Sequence, residues 1–112
     1  MTKEHKTLSP QTMQLVAERF KVMSDPMRLQ ILNSLQAGEL NVMQIVETTG
    51  ASQPNISKHL KILQTAGLVA RRREGNQVFY GIADESIFVM CELVCDSLEM
   101  RLRAQAEALS AA

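Results

Sequence analysis

Along the first third of the chain, apolar residues recur three and four positions apart with polar residues between them. Leu15, Val16, Phe20 and Met23 form one stripe, and Met27, Leu29, Ile31, Leu32 and Leu35 form a second. That period puts the apolar side chains on one face of a helix. Each stripe follows the same start signal, Ser9-Pro10 and then Asp25-Pro26. The first residue of each pair accepts from the first helical amides, and the proline sits where the helix has no use for an N–H. Gly38 is expected to end the second helix as the residue just past its C-terminus. A short third helix fits Val42 to Thr48, with Asn41 as its cap and Gly50 as its stop. Ser52 caps a fourth that runs to about Ala66, turns Ile56, Leu60 and Leu63 inward, and ends at Gly67.

After Gly67 the period changes. Leu68 to Arg73 and Val78 to Ile82 flank Glu74-Gly75-Asn76-Gln77, a Gly/Asn loop of hairpin type. Beyond Asp84, a further N-cap candidate, a long helix is expected to about Leu109, with Ile87, Cys91, Val94, Cys95, Leu98 and Leu102 as its stripe. The fold is therefore expected to be mainly α with a β-hairpin, in the order α-α-α-α-β-β-α. A chain of 112 residues has room for one domain. Residues 1–8 read as a flexible tail and 9–110 as the domain.

Composition agrees with a helical core: apolar residues are 46% and aromatics 4%, with seven Met and no Trp. No apolar run approaches the roughly 18 residues needed to span a bilayer. Met1 to Leu8 is charged and lacks a signal-peptide core. A cytoplasmic location with no membrane partner is expected, where two cysteines do not make a disulfide scaffold. No phosphate-binding loop, framed pair of catalytic carboxylates or Cys–His pair suggests an enzyme. The formal charge of zero hides a segregation. Ser52 to Arg73 holds Lys58, Lys61, Arg71, Arg72 and Arg73 with no acid, whereas Asp84 to Met100 holds five acids and no base. One small domain can thus show a basic and an acidic face.

The basic stretch has a layout suited to DNA. Two short helices joined by Thr48-Thr49-Gly50-Ala51 make a helix-turn-helix. The second leaves Gln53, Asn55, Ser57, Lys58, His59 and Lys61 toward solvent or its flanks. Gln and Asn can pair with adenine edges and Lys with guanine, while Ser52 and the amides behind it suit a phosphate oxygen. On these residues alone, an ordinary solvated helix face is an equal reading. The hairpin tilts the balance, because Arg71, Arg72 and Arg73 lead into its tip and Asn76 and Gln77 lie on it. A basic hairpin directly after a recognition helix is the layout of a winged helix. Strand alternation should send the three arginines to different faces, so that two of them reach DNA.

Three spaced motifs then carry a family resemblance: Asp25-Pro26-Met27-Arg28-Leu29-Gln30-Ile31-Leu32, the run Ser52 to Leu63 (SQPNISKHLKIL), and Gly67-Leu68-Val69. Together with Val78-Phe79-Tyr80 they resemble the ArsR/SmtB family of bacterial repressors over roughly residues 10–105. The resemblance implies a winged-helix homodimer joined mainly through its first and last helices. Leu15, Phe20, Leu98 and Leu102 are the expected interface residues. It further implies a repressor of a palindromic double-stranded operator, released by a metal, a metalloid or a thiol-reactive signal.

The chain departs from the family at its metal sites. Asn41 and Met43 stand where many members carry a Cys-x-Cys pair, and the last helix has no His. The only histidines are His5, in the tail, and His59, on the recognition helix, where it is better placed for DNA than for metal. Cys91 and Cys95 remain, one turn apart on one helix face. They suit arsenite or another thiophilic ion, or an oxidant linking subunits; alternatively they are small apolar residues of the dimer stripe and the regulator has no small-molecule switch. A bridge between them within one helix is disfavoured, because Cβ atoms roughly 5–6 Å apart exceed the separation a disulfide tolerates. No cofactor is required for DNA binding itself.

Overall fold

The computed structural model describes residues 7–111; the greater part of the expected tail, with His5, lies outside them. Five helices and one antiparallel hairpin follow in the expected order: α1 (Pro10–Met23), α2 (Pro26–Ser34), α3 (Val42–Thr49), α4 (Gln53–Thr65), β1 (Val69–Glu74), β2 (Gln77–Ile82) and α5 (Ser86–Ala111). The helix starts are written in local chemistry. Ser9, Asp25, Asn41 and Ser52 each accept from an amide of the first turn, and Asn41 with Gln44 completes a reciprocal capping box. Before α5, Asp84 accepts from the Ser86 amide at 3.0 Å and its hydroxyl at 2.6 Å.

Helix ends follow glycine at two of the three expected places. Gly50 (φ 75°) caps α3, its N–H donating to the Val46 carbonyl at 2.8 Å. After α4, Gly67 (φ 78°) donates to Gln64 and Leu68 to Leu63, both at 3.0 Å. That is the paired closure of a Schellman motif, and Leu63 and Leu68, the residues that then touch, are both fully buried. Gly38 does not end α2. The helix stops at Ser34 with Leu35 as its cap, and short-range turns carry the chain three residues further to Gly38. Burial of Leu35 in the core sets that end, so tertiary packing overrides the glycine signal.

The core lies between α2, α3 and α4 and is closed by the start of β1 and the first turn of α5. Its members include Ile31, Leu32, Leu35, Ile45, Ile56, Leu60, Leu63, Leu68, Val69 and Ile87. Helix α1 adds only Met23 and α5 only Ile87. At 26 residues α5 is about 39 Å long, and its side chains from Glu92 onward are all exposed. Arg19 fastens α1 to this core, donating to Asp84 at 3.0 Å and to the Ala66 carbonyl at 3.3 Å.

Candidate nucleic-acid interface

Helix α4 presents two sides. Its inner stripe is Ile56, His59, Leu60 and Leu63, a spacing of three, one and three that lays one apolar seam against α2 and α3. Its outer side exposes Gln53, Asn55, Ser57, Lys58 and Lys61, beginning one residue past the Ser52 cap, whose hydroxyl accepts from the Asn55 amide at 3.3 Å. The first-turn amides and the polar side chains therefore issue from the same end, the geometry in which a recognition helix enters a major groove.

His59 is a correction. It was expected toward solvent as a DNA contact; it is 8% exposed and its Nδ1 is buried. Position 59 falls on the stripe that Ile56, Leu60 and Leu63 define, so the helical period overrides the residue type. At the start of α2 stands its cap, Asp25. That carboxyl is held below its ordinary range chiefly by the Arg28 amide, with the Met27 amide and the charges of His59 and Arg28 assisting against partial desolvation. His59 thus belongs to the buried side of α4.

The hairpin pairs Val69 with Ile82 through to Glu74 with Gln77, leaving a two-residue turn at Gly75-Asn76. Gly75 has φ 60° and Asn76 does not enter the positive region, the type II′ pattern that suits strand twist. The expected four-residue loop is shorter because Glu74 and Gln77 join the ladder. Alternation separates the arginines as expected. Arg71 and Arg73 share the face of Val69, Val78 and Tyr80, whereas Arg72 lies on the face of Phe79 and Gln77. All three are exposed, as are Asn76 and Gln77. Among the described residues neither Arg71 nor Arg73 pairs with an acid; Arg73 donates to the Gly75 carbonyl at 3.2 Å.

Arg72 is engaged differently. Its Nε donates to both oxygens of Glu39 at 3.0 and 3.1 Å, Nη2 lies 3.0 Å from the same carboxylate, and Nη1 donates to Glu74 at 2.8 Å. Its guanidinium also stands 5.1 Å from the centroid of the Phe79 ring. The carboxylates of Glu39, then Glu74, hold the guanidinium more firmly protonated than usual. Glu39 is a site residue that sequence reading missed: 33 positions separate it from Arg72, and no local pattern links them.

Cys91 is half-buried and Cys95 exposed. Both line an apolar concavity of about 700 Å³ between α1, α2 and α5, shared with Phe20, Met23, Leu98 and Leu102. Among the described residues no group of three or more His, Cys, Asp and Glu is gathered as metal ligands. The expected interface residues are bare in the single chain: Leu15 is 65% exposed, Phe20 54%, Leu98 55% and Leu102 64%.

Known proteins agree with this architecture. Residues 25–71, from the α2 cap to the first wing arginine, match the family model described as bacterial regulatory protein, arsR family. An uncharacterized HTH-type transcriptional regulator of Methanocaldococcus jannaschii is 43% identical over 79 residues, 70% of this chain and 89% of its own length. The arsenical resistance operon repressor of Staphylococcus xylosus is also 43% identical, over 58% of this chain but only 62% of its own. Among solved structures, the homodimeric winged helix-turn-helix DNA-binding domain of Mycobacterium bovis superposes with a TM-score of 0.71 at 33% identity, covering 85% of this chain and 91% of that one. These relatives are regulators of transcription, not enzymes. With the winged helix-turn-helix order, the exposed polar side of α4 and the basic hairpin behind it, the chain belongs to the ArsR family of bacterial regulatory proteins.

Proposed function

We propose that the protein is a homodimeric repressor that sets α4 of each subunit into the major groove of a palindromic operator and lays its wing on the flanking backbone. The observation that carries this reading is the outer side of α4, where Gln53, Asn55, Ser57, Lys58 and Lys61 stand exposed beyond a serine-capped N-terminus. Ser52 serves phosphate, Gln53 and Asn55 read base edges, and Arg71, Arg73 and Gln77 extend the contact along the wing. Replacing Gln53 or Asn55 with Ala should cost about 1–3 kcal/mol on the operator and little on random DNA. Parallel titrations of both DNAs check this; equal losses on the two would remove the residue from the base-reading set.

The second subunit is argued from apolar surface left uncovered. Leu15 and Phe20 of α1 and Leu98 and Leu102 of α5 expose a band that a single chain does not bury. A two-fold seam along these helices covers it, and the structurally similar domain of Mycobacterium bovis is homodimeric. No described helix is long and apolar enough to cross a membrane.

For the inducer, we assign Cys91 and Cys95 as the sensing pair for arsenite, another thiophilic ion or a thiol-reactive species. Both thiols open on one concavity beside the seam, so modification there acts where the subunits meet. Arsenite takes three thiolates, so the partner subunit would supply the third. Release needs differential affinity for the two dimer arrangements, about 10⁴-fold for a complete switch. Cys91→Ser and Cys95→Ser should each keep operator binding and lose release by the inducer. The apolar character of the concavity favours a second reading, in which both cysteines are packing residues and no small molecule acts. A double mutant that still answers every thiophilic agent would establish that reading.

A further inference from the structure

We infer that Arg72 is not a phosphate contact but a positioning residue, locked by Glu39 into a clamp that holds the wing at its docking angle; this rests on the DNA-docking reading above. The clamp joins two parts of the fold. Glu39 lies in the connection between α2 and α3, one residue before Leu40, whose backbone pairs with Tyr80 of β2 at 3.0 and 2.8 Å. That bridge sits midway along the hairpin, on the rung of Arg71 and Tyr80, and the Glu39–Arg72 pair adds a second attachment on the outer face, one rung nearer the tip. The carboxylate accepts from Nε on both oxygens and lies 3.0 Å from Nη2, a charge-assisted contact on one edge of the guanidinium. Phe79, across the ladder from Arg72, supports the guanidinium from below.

Two further observations favour a built feature over a chance surface pair. Glu39 reaches Arg72 by running across Gly81, where a Cβ would stand 3.1 Å from its Cγ. The one glycine within the strands thus lies where the carboxylate needs passage. Glu74 closes the other side of the guanidinium at 2.8 Å. One cation is shared by two carboxylates, so this face of the wing carries net negative charge and repels a phosphate. The opposite face, with Arg71 and Arg73, has no such neighbours among the described residues. The wing thereby divides its arginines by role, one for angle and two for charge.

The two roles predict opposite signs for Glu39→Gln. If Arg72 contacted phosphate, removing the competing carboxylate would free it and tighten DNA binding. In a clamp the same change loosens the wing and weakens operator binding by about tenfold, the scale of one lost contact, although the surface has become less acidic. Arg72→Gln should weaken binding equally, and the double variant no further, since both break one device. Gly81→Val alters no charge but fills the passage, and should lower affinity in the same direction. Hydrogen exchange of the Leu40 and Tyr80 amides, measured without DNA on variants whose thermal melts match wild type, should quicken in all of them. Tighter binding by Glu39→Gln, additive losses in the double variant, or unchanged amide exchange would overturn the clamp. Wild-type protein titrated alongside separates the two levels: if it shows no salt-sensitive operator binding, the DNA-docking reading fails and the clamp's role falls with it.

Discussion

Leu98→Glu should give a folded monomer that no longer holds its operator. Leu98 sits halfway along α5, on the side it shares with Leu102 and opposite Phe20 of α1 across the apolar concavity, and is 55% exposed in the single chain. Nothing in the core depends on it, because α5 contributes only Ile87 to the buried set. Truncating or charging the position therefore leaves the helix-turn-helix packing intact. In the dimer the same change places a carboxylate in the seam of each subunit without a cation to meet it. A buried charge left without its partner costs about 3–5 kcal/mol, and two-fold symmetry imposes it twice. A monomer then engages one half-site at a time and loses the advantage of paired docking. Sedimentation and circular dichroism check the first half of the expectation and operator titration the second. A dimer of undiminished affinity would mean that α5 packs elsewhere than on the two-fold axis.

The parts of this fold that were legible in advance are those whose cause is local. Ser9, Asp25, Asn41 and Ser52 cap helices through side chains that reach only two or three residues on, so the chain alone shows where each helix starts. Gly50 and Gly67 end helices for an equally local reason, a positive φ. Gly38 misled because α2 stops at the demand of Leu35, which the core buries. His59 misled in the opposite way. Its stripe was visible in Ile56, Leu60 and Leu63, but its polarity suggested solvent, and only the packed structure shows it buried.

The candidate site divides along the same line. Exposed polar positions on α4 could be read from helical period, and the alternation of Arg71, Arg72 and Arg73 from strand period. Which of those arginines is occupied could not, since Glu39 comes from a connection 33 residues away. The stripes of α1 and α5 were the most instructive case. As periodic apolar faces they resemble core, yet Leu15, Phe20, Leu98 and Leu102 remain more than half exposed. An amphipathic face that its own chain leaves bare is a statement about a partner, and the family resemblance supplied its identity as a second copy.

Operator binding should weaken steeply with salt, with log K falling against log salt at a slope of roughly −7. The count behind this value is specific. Lys58 and Lys61 on α4 and Arg71 and Arg73 on the wing are exposed cations without an acid partner among the described residues. Four from each of two subunits neutralise about eight phosphates, and each releases close to 0.9 of a condensed counterion on duplex DNA. Arg72 is left out because Glu39 and Glu74 already hold it; were it on phosphate in both subunits, the slope would approach −9. Overall charge cannot produce either figure, since 12 basic and 12 acidic side chains cancel. The steepness has to come from the local field of α4 and the wing, while the acids of α5 lie in a separate helix. Between 50 and 200 mM salt the expected loss is about 10⁴-fold in affinity, large enough to read by titration at four or five salt concentrations. A slope shallower than about −3 would mean that the basic patch is not the DNA face. A slope near −9 would return Arg72 to the phosphate contacts and dissolve the division of labour along the wing.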